Sequence, residues 1–330
     1  MDPQMQQFNF KVVSAEDEDA EVPVAVAGQI MVDVQNLISH TGELMVRQEL
    51  RTQDMLPDWI RDRFTLRMQG QGAGSRRDGA LLEDALTKVC AELDRANLST
   101  TVPEEVSNHI EAMCRREIAA DVLALWDHLE GYTLTYGVEG DMRRFRMNAR
   151  RSLEAEASKD PSGMSGAIIG VVSHDPERRG RWLISNSQNP VPLQFSDSVP
   201  PQDRESFVGA GPLIATGCVT LEDGRMTGLR DVSACYVFPV VKFHRILTED
   251  RDVLLLNPVL ACPGYNAAKG MWTLVNEDLG IDVSKPSWDE AVWAFHEYFM
   301  FLWETYAESD DEFEGEEKDV SDLLRSMAFP

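Results

Sequence analysis

From residue 165 to residue 246 the chain alternates in a way that sets an order of elements: three β-forming runs, one short helical segment, then two further β-forming runs. Ala167-Ile168-Ile169-Gly170-Val171-Val172 is nearly continuous in apolar side chains, as a strand covered on both faces is, and Ser173-His174-Asp175-Pro176 closes it. Arg181-Trp182-Leu183-Ile184 resumes the sheet. After Asn189-Pro190, Val191, Leu193 and Phe195 alternate with Pro192 and Gln194, which is the period of a half-buried strand. Pro200 and Pro201 halt extension, and Gln202 to Val208 reads as one or two helical turns ended by Gly209, Gly211 and Pro212. Val219 and Leu221 alternate next, Asp223-Gly224 is a hairpin dipeptide, and Val232, Ala234, Tyr236, Phe238 and Val240 fall on one side of a long last strand.

Three strands, a helix and two strands form the topology of an OB-fold, a small barrel that serves oligonucleotides, oligosaccharides and proteins alike. A generic small antiparallel sheet fits the same pattern. Within the region Arg178, Arg179 and Arg181 stand beside Trp182, with Phe195, Tyr236 and Phe238 on neighbouring strands. Basic groups interleaved with aromatic faces are what single-strand binding by stacking requires. Arg178, Arg179, Arg181, Trp182, Tyr236 and Phe238 are therefore candidates for binding nucleic acid or a partner protein. The competing reading puts the aromatics in the core, and Asp, Glu, Lys and Arg from 165 to 246 leave no net positive charge.

Length and charge bound the remaining readings. A chain of 330 residues with 43% hydrophobic content holds two domains of ordinary size. Its net charge of -25 opposes general attraction to nucleic acid or anionic membrane, although a local basic patch could still bind. The 5 cysteines are odd in number and form no CxxC pair, so neither a disulfide framework nor a zinc ribbon is expected. The 6 histidines are scattered without HExxH spacing, and no nucleophile elbow appears. No metal and no cofactor is expected. His174-Asp175 and Cys262-Pro263-Gly264 are the only local combinations with any catalytic flavour. The amino terminus lacks the basic and apolar regions of a signal peptide, and the most apolar helix candidate, Ala291 to Tyr306, is too short to span a bilayer. A cytoplasmic location without membrane association is the expectation.

Residues 1–158 read as an α+β domain. Phe8 to Val13 has strand character, and from Val26 apolar residues recur at helical spacing through Ile30, Val34, Leu37, Ile38 and Leu44. Phe64 to Met68 alternates as a strand; Leu81 to Leu93 and Glu104 to Leu129 are periodic enough for helices; Thr133 to Met147 reads as a hairpin turning at Glu139-Gly140-Asp141. Between strand and helix candidates lies Gly70-Gln71-Gly72-Ala73-Gly74-Ser75-Arg76-Arg77. Its backbone amides and arginines would suit a phosphate, with Gly72, Gly74, Ser75, Arg76 and Arg77 as candidates, but the spacing is neither GxGxxG nor a P-loop. The alternative is a plain connecting loop. Arg143, Arg144, Arg146, Arg150 and Arg151 form a basic group that could neutralise a phosphate backbone, although pairing with the chain's own acids or plain solvent exposure is the simpler role.

Residues 159–164 read as a linker, and residues 165–284 as the OB-like small antiparallel β-barrel with an extension. In the C-terminal aromatic helix, 285–307, Ser287 and Glu290 form a capping box and Val292, Phe295, Phe299, Leu302, Trp303 and Tyr306 make one stripe. Trp293 and Phe301 widen the apolar surface beyond a single core contact. Residues 308–330 form an acidic tail ending in an apolar segment with Phe329. Trp293, Phe301 and Phe329 are candidates for partner docking.

The whole reads as an α+β chain, an N-terminal α+β domain followed by the OB-like barrel, the aromatic helix and the acidic tail. The function expected is that of a non-enzymatic protein-binding or assembly component of a cytosolic complex. The alternatives are a single-stranded nucleic-acid-binding protein acting through the barrel, and a nucleotide-using enzyme with a phosphate loop at residues 70–77. Oligomeric state leaves no mark on the sequence.

Overall fold

The structure, a computed structural model, describes residues 8–17, 20–50, 56–65, 79–98, 109–138, 140–160, 165–185, 190–222, 225–237 and 240–327. It contains both helices and sheets and divides into two compact units. Met1–Val46, Leu56–Glu105 and Met113–Lys159 form the first, and Arg47–Met55, Val106–Ala112 and Asp160–Pro330 the second.

In the first unit β1 (Phe8–Ser14), β2 (Tyr132–Val138) and β3 (Asp141–Arg144) form an antiparallel sheet with β2 in the middle. The helices are α1 (Val24–Leu50), α2 (Asp58–Arg63), α3 (Gly79–Asn97), α4 (His109–Asp127) and α5 (Arg150–Ala157). Residues three and four apart share a helix face, which is why Ile30, Val34, Leu37, Ile38 and Leu44 of α1 are all buried, as are Leu81, Ala85, Val89 and Leu93 of α3. Ionic contacts fasten α1 to its surroundings: His40 Nδ1 lies 2.6 Å from Asp121, His128 Nδ1 lies 2.7 Å from Asp33, and Arg61 Nε lies 2.8 Å from Glu43. Phe64 and Thr65 are not the start of a strand. Pro57, with φ fixed at −57°, precedes α2, and Phe64 closes that helix with its ring buried. The rest of the expected strand lies outside the described residues.

In the second unit five strands close a barrel: β4 (Ser165–His174), β5 (Trp182–Ser185), β6 (Val191–Phe195), β7 (Leu213–Glu222) and β8 (Arg225–Val237), in the order β4-β5-β6-β8-β7. Helix α6 (Pro201–Ser206) stands between β6 and β7 in the chain. All neighbours are antiparallel except β6 and β8, which run parallel. Ile168, Val172, Ile184, Leu193, Phe195, Leu213, Val219, Leu229 and Val232 fill the interior. The last barrel strand is shorter than the alternation from Val232 to Val240 implies. It ends at Val237, Val240 is exposed, and the chain then enters a different sheet.

That sheet comprises β9 (Val241–Leu247), β10 (Asp252–Asn266), β11 (Met271–Asn276) and β12 (Ile281–Lys285), ordered β12-β11-β10-β9. One face is apolar, with Val241, Phe243, Val259, Trp272 and Leu274 buried. Helix α7 (Trp288–Leu302) packs on the sheet, its first turn capped by Ser287 Oγ, which accepts from the Glu290 amide at 3.1 Å. Trp288 meets Trp272 edge-on at 5.3 Å, and Phe295 meets Phe243 at 5.5 Å. A π-helical turn, Trp303–Ala307, ends the helix. The segment 308–330, acidic in sequence, carries α8 (Glu316–Met327), whose Leu324 and Met327 are buried. Arg251 holds this end of the chain by pairing with Glu304 and Glu308, Ser321 Oγ donates to the Tyr306 carbonyl at 2.8 Å, and Arg325 donates to the carbonyls of Ala307 and Ser309.

Candidate functional site

The loop from His174 to Trp182 is built by local hydrogen bonding. Asp175 Oδ1 accepts from the amides of Glu177 and Arg178 at 2.9 and 3.2 Å, and the Asp175 amide donates to the Arg181 carbonyl at 2.9 Å. Gly180 takes φ +78°, a region costly for any residue with a Cβ, so the turn can close directly into β5. The consequence is that Arg178 and Arg181 project from a braced turn onto one face of the barrel.

On that face lies an open groove of about 770 Å³. Its apolar floor comes from the paired Leu183 and Pro192, half-buried and exposed, beside Gly228, while Leu193 and Leu229 beneath it turn their side chains into the barrel interior. Arg178, Arg181 and Asp175 from the loop border it, as do Arg230 of β8 and Glu222 at the end of β7. Trp182 lines it from β5, but its ring is half-buried: it meets Phe195 edge-on at 5.2 Å, and the Arg204 guanidinium sits 6.0 Å from its centroid. Arg204 is itself held by the carbonyls of Val199 and Ser196, at 2.7 and 3.0 Å.

Of the residues singled out from sequence, Arg178, Arg181 and Trp182 meet at this groove, whereas Arg179 is exposed on the same turn without lining it. Tyr236 lies on β8 opposite Ile214 of β7; Phe238 lies outside the described residues. Gly72, Gly74, Ser75, Arg76 and Arg77 also lie outside them, as does Phe329. Trp293 is half-buried 6.2 Å from the His296 ring, and Phe301, 60% exposed, touches Tyr298 edge-on. Arg230, Gly228 and Gln194 of the groove escaped sequence reasoning. The signal that finds them is the parallel pairing of β6 with β8, which joins strands distant in the chain.

Most of the remaining candidates do structural work, while Arg146, Arg151 and Cys262 are exposed. Arg143 pairs with Asp94 and lies 5.5 Å from the centroid of the Tyr136 ring, Arg144 donates to Thr133 Oγ1 at 2.6 Å, and Arg150 pairs with Asp127 and Glu154. His174 pairs with Glu205 at 3.1 Å. All five cysteines are free, and burial pushes the thiols of Cys90 and Cys235 up to about 11, away from the thiolate form a nucleophile needs. Among the described residues no group of three or more His, Cys, Asp or Glu is placed to hold a metal ion, and no helix is long and apolar enough to cross a membrane. No protein-family model, no curated protein and no solved structure matches the chain.

Proposed function

We propose that this chain is a non-enzymatic binding component that recognises another protein through the groove on its barrel. The order of strands, with α6 after the third and the third parallel to the fifth, is that of an OB-fold. In that fold the ligand face comprises the second and third strands and the loops joining strands one to two and four to five, here β5, β6, the loop at 175–181 and the strand ends Glu222 and Arg225. The single observation that carries the reading is that the groove lies on this face, with an apolar floor and an arginine-bearing rim. An apolar centre with a charged rim is the anatomy of a protein-recognition surface.

Docking through the aromatic helix or the acidic end is less favoured, because the stripe of α7 faces its own sheet and α8 buries Leu324 and Met327. Single-stranded nucleic acid is the second reading, favoured by Arg178, Arg181, Arg230 and Trp182 on one groove. Against it, Trp182 offers a half-buried ring already packed on Phe195, and the chain's charge of -25 repels a polyanion.

The test is recovery of the full chain from native cells, as wild type and as Arg178→Glu/Arg181→Glu, with proteins read by mass spectrometry and nucleic acid by absorbance. A stoichiometric protein lost in the variant supports the reading. Capture unchanged by the variant removes the groove from it, and nucleic acid lost in the variant favours the second reading.

A further inference from the structure

We infer that the groove takes an extended acidic peptide segment of its partner, laid as an added strand along the free edge of β8. This rests on the reading of the groove as the binding face.

Charge is the first support. Arg178, Arg181 and Arg230 reach the groove, and no carboxylate of the described residues pairs with any of them. Elsewhere Arg61, Arg95, Arg143, Arg150, Arg245 and Arg251 each pair with Asp or Glu and Arg204 and Arg325 are held by carbonyls, while the exposed Arg146, Arg151 and Arg179 are scattered singly rather than gathered at a groove. In a chain of 56 Asp and Glu to 31 Lys and Arg, three guanidinium groups against the two carboxylates Asp175 and Glu222 give this groove a local excess of positive charge that suits an anionic ligand.

The backbone is the second. β6 meets β8 only at Leu193↔Leu229 and Phe195↔Val232, and Pro192 has no N–H with which to extend the ladder. Arg225–Thr227 runs beside β7 on one side and, among the described residues, pairs with no strand on the other, whereas Gly228 already lies against the Pro192 carbonyl. An unpaired strand edge beside a groove is a template for strand addition.

The third support distinguishes peptide from nucleic acid. Successive side chains of a strand point to opposite faces, so one set can rest on Leu183 and Pro192 while carboxylates are carried only where arginines meet them. A phosphate chain brings charge at every repeat, including past Glu222. Its bases would seek several aromatic faces, where the groove offers the packed ring of Trp182.

The experiment uses the full chain and a short fluorescein-labelled peptide of glutamate alternating with valine or threonine, followed by anisotropy at low and high salt. Its partners are the same peptide with glutamine for glutamate, two versions N-methylated on either alternate set of amides, and oligothymidylate. The proteins are wild type, Arg178→Glu/Arg181→Glu, Arg230→Glu, and Arg151→Glu as a charge control on exposed α5. The acidic peptide is expected to bind and to weaken roughly tenfold in either groove variant and not in Arg151→Glu. The glutamine peptide should lose affinity, and one N-methylated set should abolish binding while the other spares it. No binding of the acidic peptide, equal loss in Arg151→Glu, or indifference to N-methylation overturns the inference, provided the variants unfold at the wild-type temperature. Oligothymidylate binding lost in the groove variants, without peptide binding, overturns it in favour of nucleic acid. A native partner still lost in Arg178→Glu/Arg181→Glu while the probe does not bind would sink this inference alone and leave the groove as the protein-binding face.

Discussion

Nδ1 of His296, fully buried on α7, accepts a hydrogen bond from the backbone N–H of Leu247 on β9 at 3.0 Å. Accepting at Nδ1 places the proton on Nε2 and requires a neutral ring. The ring is enclosed by aromatic neighbours, Phe243 edge-on at 4.7 Å, Trp293 and Phe295, and Nε2 meets no acceptor among the described residues. Burial therefore pushes this imidazole down to about 3.

A histidine whose folded value is lowered stabilises the fold fully above its unfolded value and progressively less as pH falls below it. The stability of the second unit should thus decline between about pH 6.5 and pH 3 by a few kcal/mol more than carboxylate titration alone gives. His296→Gln keeps an acceptor for the Leu247 amide but cannot titrate. Urea midpoints at pH 7 and pH 4 should fall less in this variant than in the wild type, and equal falls would remove His296 as the cause.

His40 behaves in the opposite sense. Its hydrogen bond to Asp121 raises it above the ordinary value of 6.5, burial opposing in part and the charges of Asp121, Glu117 and Glu43 adding to the rise. Its contribution is complete below the unfolded value and is lost as pH rises through the elevated one. An NMR titration of the His40 ring should show a midpoint above 6.5 that drops in Asp121→Asn; a midpoint unmoved by that substitution would contradict the pairing.

Much of the barrel was legible because its strands alternate with period two and its breaks carry Pro and Gly. Val191, Leu193 and Phe195 became β6 as their spacing implied, and Glu222 pairs with Arg225 on either side of Asp223-Gly224, which itself lies outside the described residues. The groove was half legible. Arg178, Arg181 and Trp182 are close in sequence, but Arg230 reaches them only through the parallel pairing of β6 with β8, which no local pattern encodes. β10 carries Pro258 and Pro263, residues that remove ladder donors and so mask a strand of this length in the sequence. A register shift between Leu254 and Val259 absorbs Pro258 and lets the strand continue. α8 was hidden by charge: its apolar residues Val320, Leu324 and Met327 do recur at helical spacing, but acids dominate the composition around them.

Gly42 lies mid-helix on α1, where alanine would ordinarily favour the helix by about 1 kcal/mol. A Cβ there would fall within 2.6 Å of Cγ of the buried Phe64 ring, too close for either group to keep its place. Sterics should win, so that Gly42→Ala destabilises the first unit by about 1–3 kcal/mol in chemical denaturation. A stabilised variant would contradict the packing of Phe64 on this helix.

The acidic end is predicted to be part of the fold. Leu324→Ala removes a fully buried side chain and should cost about 2–5 kcal/mol, and ending the chain at Ala307 should lower the unfolding temperature further. Differential scanning calorimetry checks both. Unchanged transitions would show α8 to be undocked.

The groove itself is tested most directly by site-specific crosslinking in native cells, with a photoreactive benzophenone side chain at Gln194, which is exposed and lines the groove, and in parallel at Phe301 on α7. Capture of one defined protein from Gln194, diminished by Arg178→Glu/Arg181→Glu, is the predicted result. Crosslinks to nucleic acid alone from Gln194, or capture of a defined protein from Phe301 with none from Gln194, would contradict recognition of a protein partner through the barrel groove.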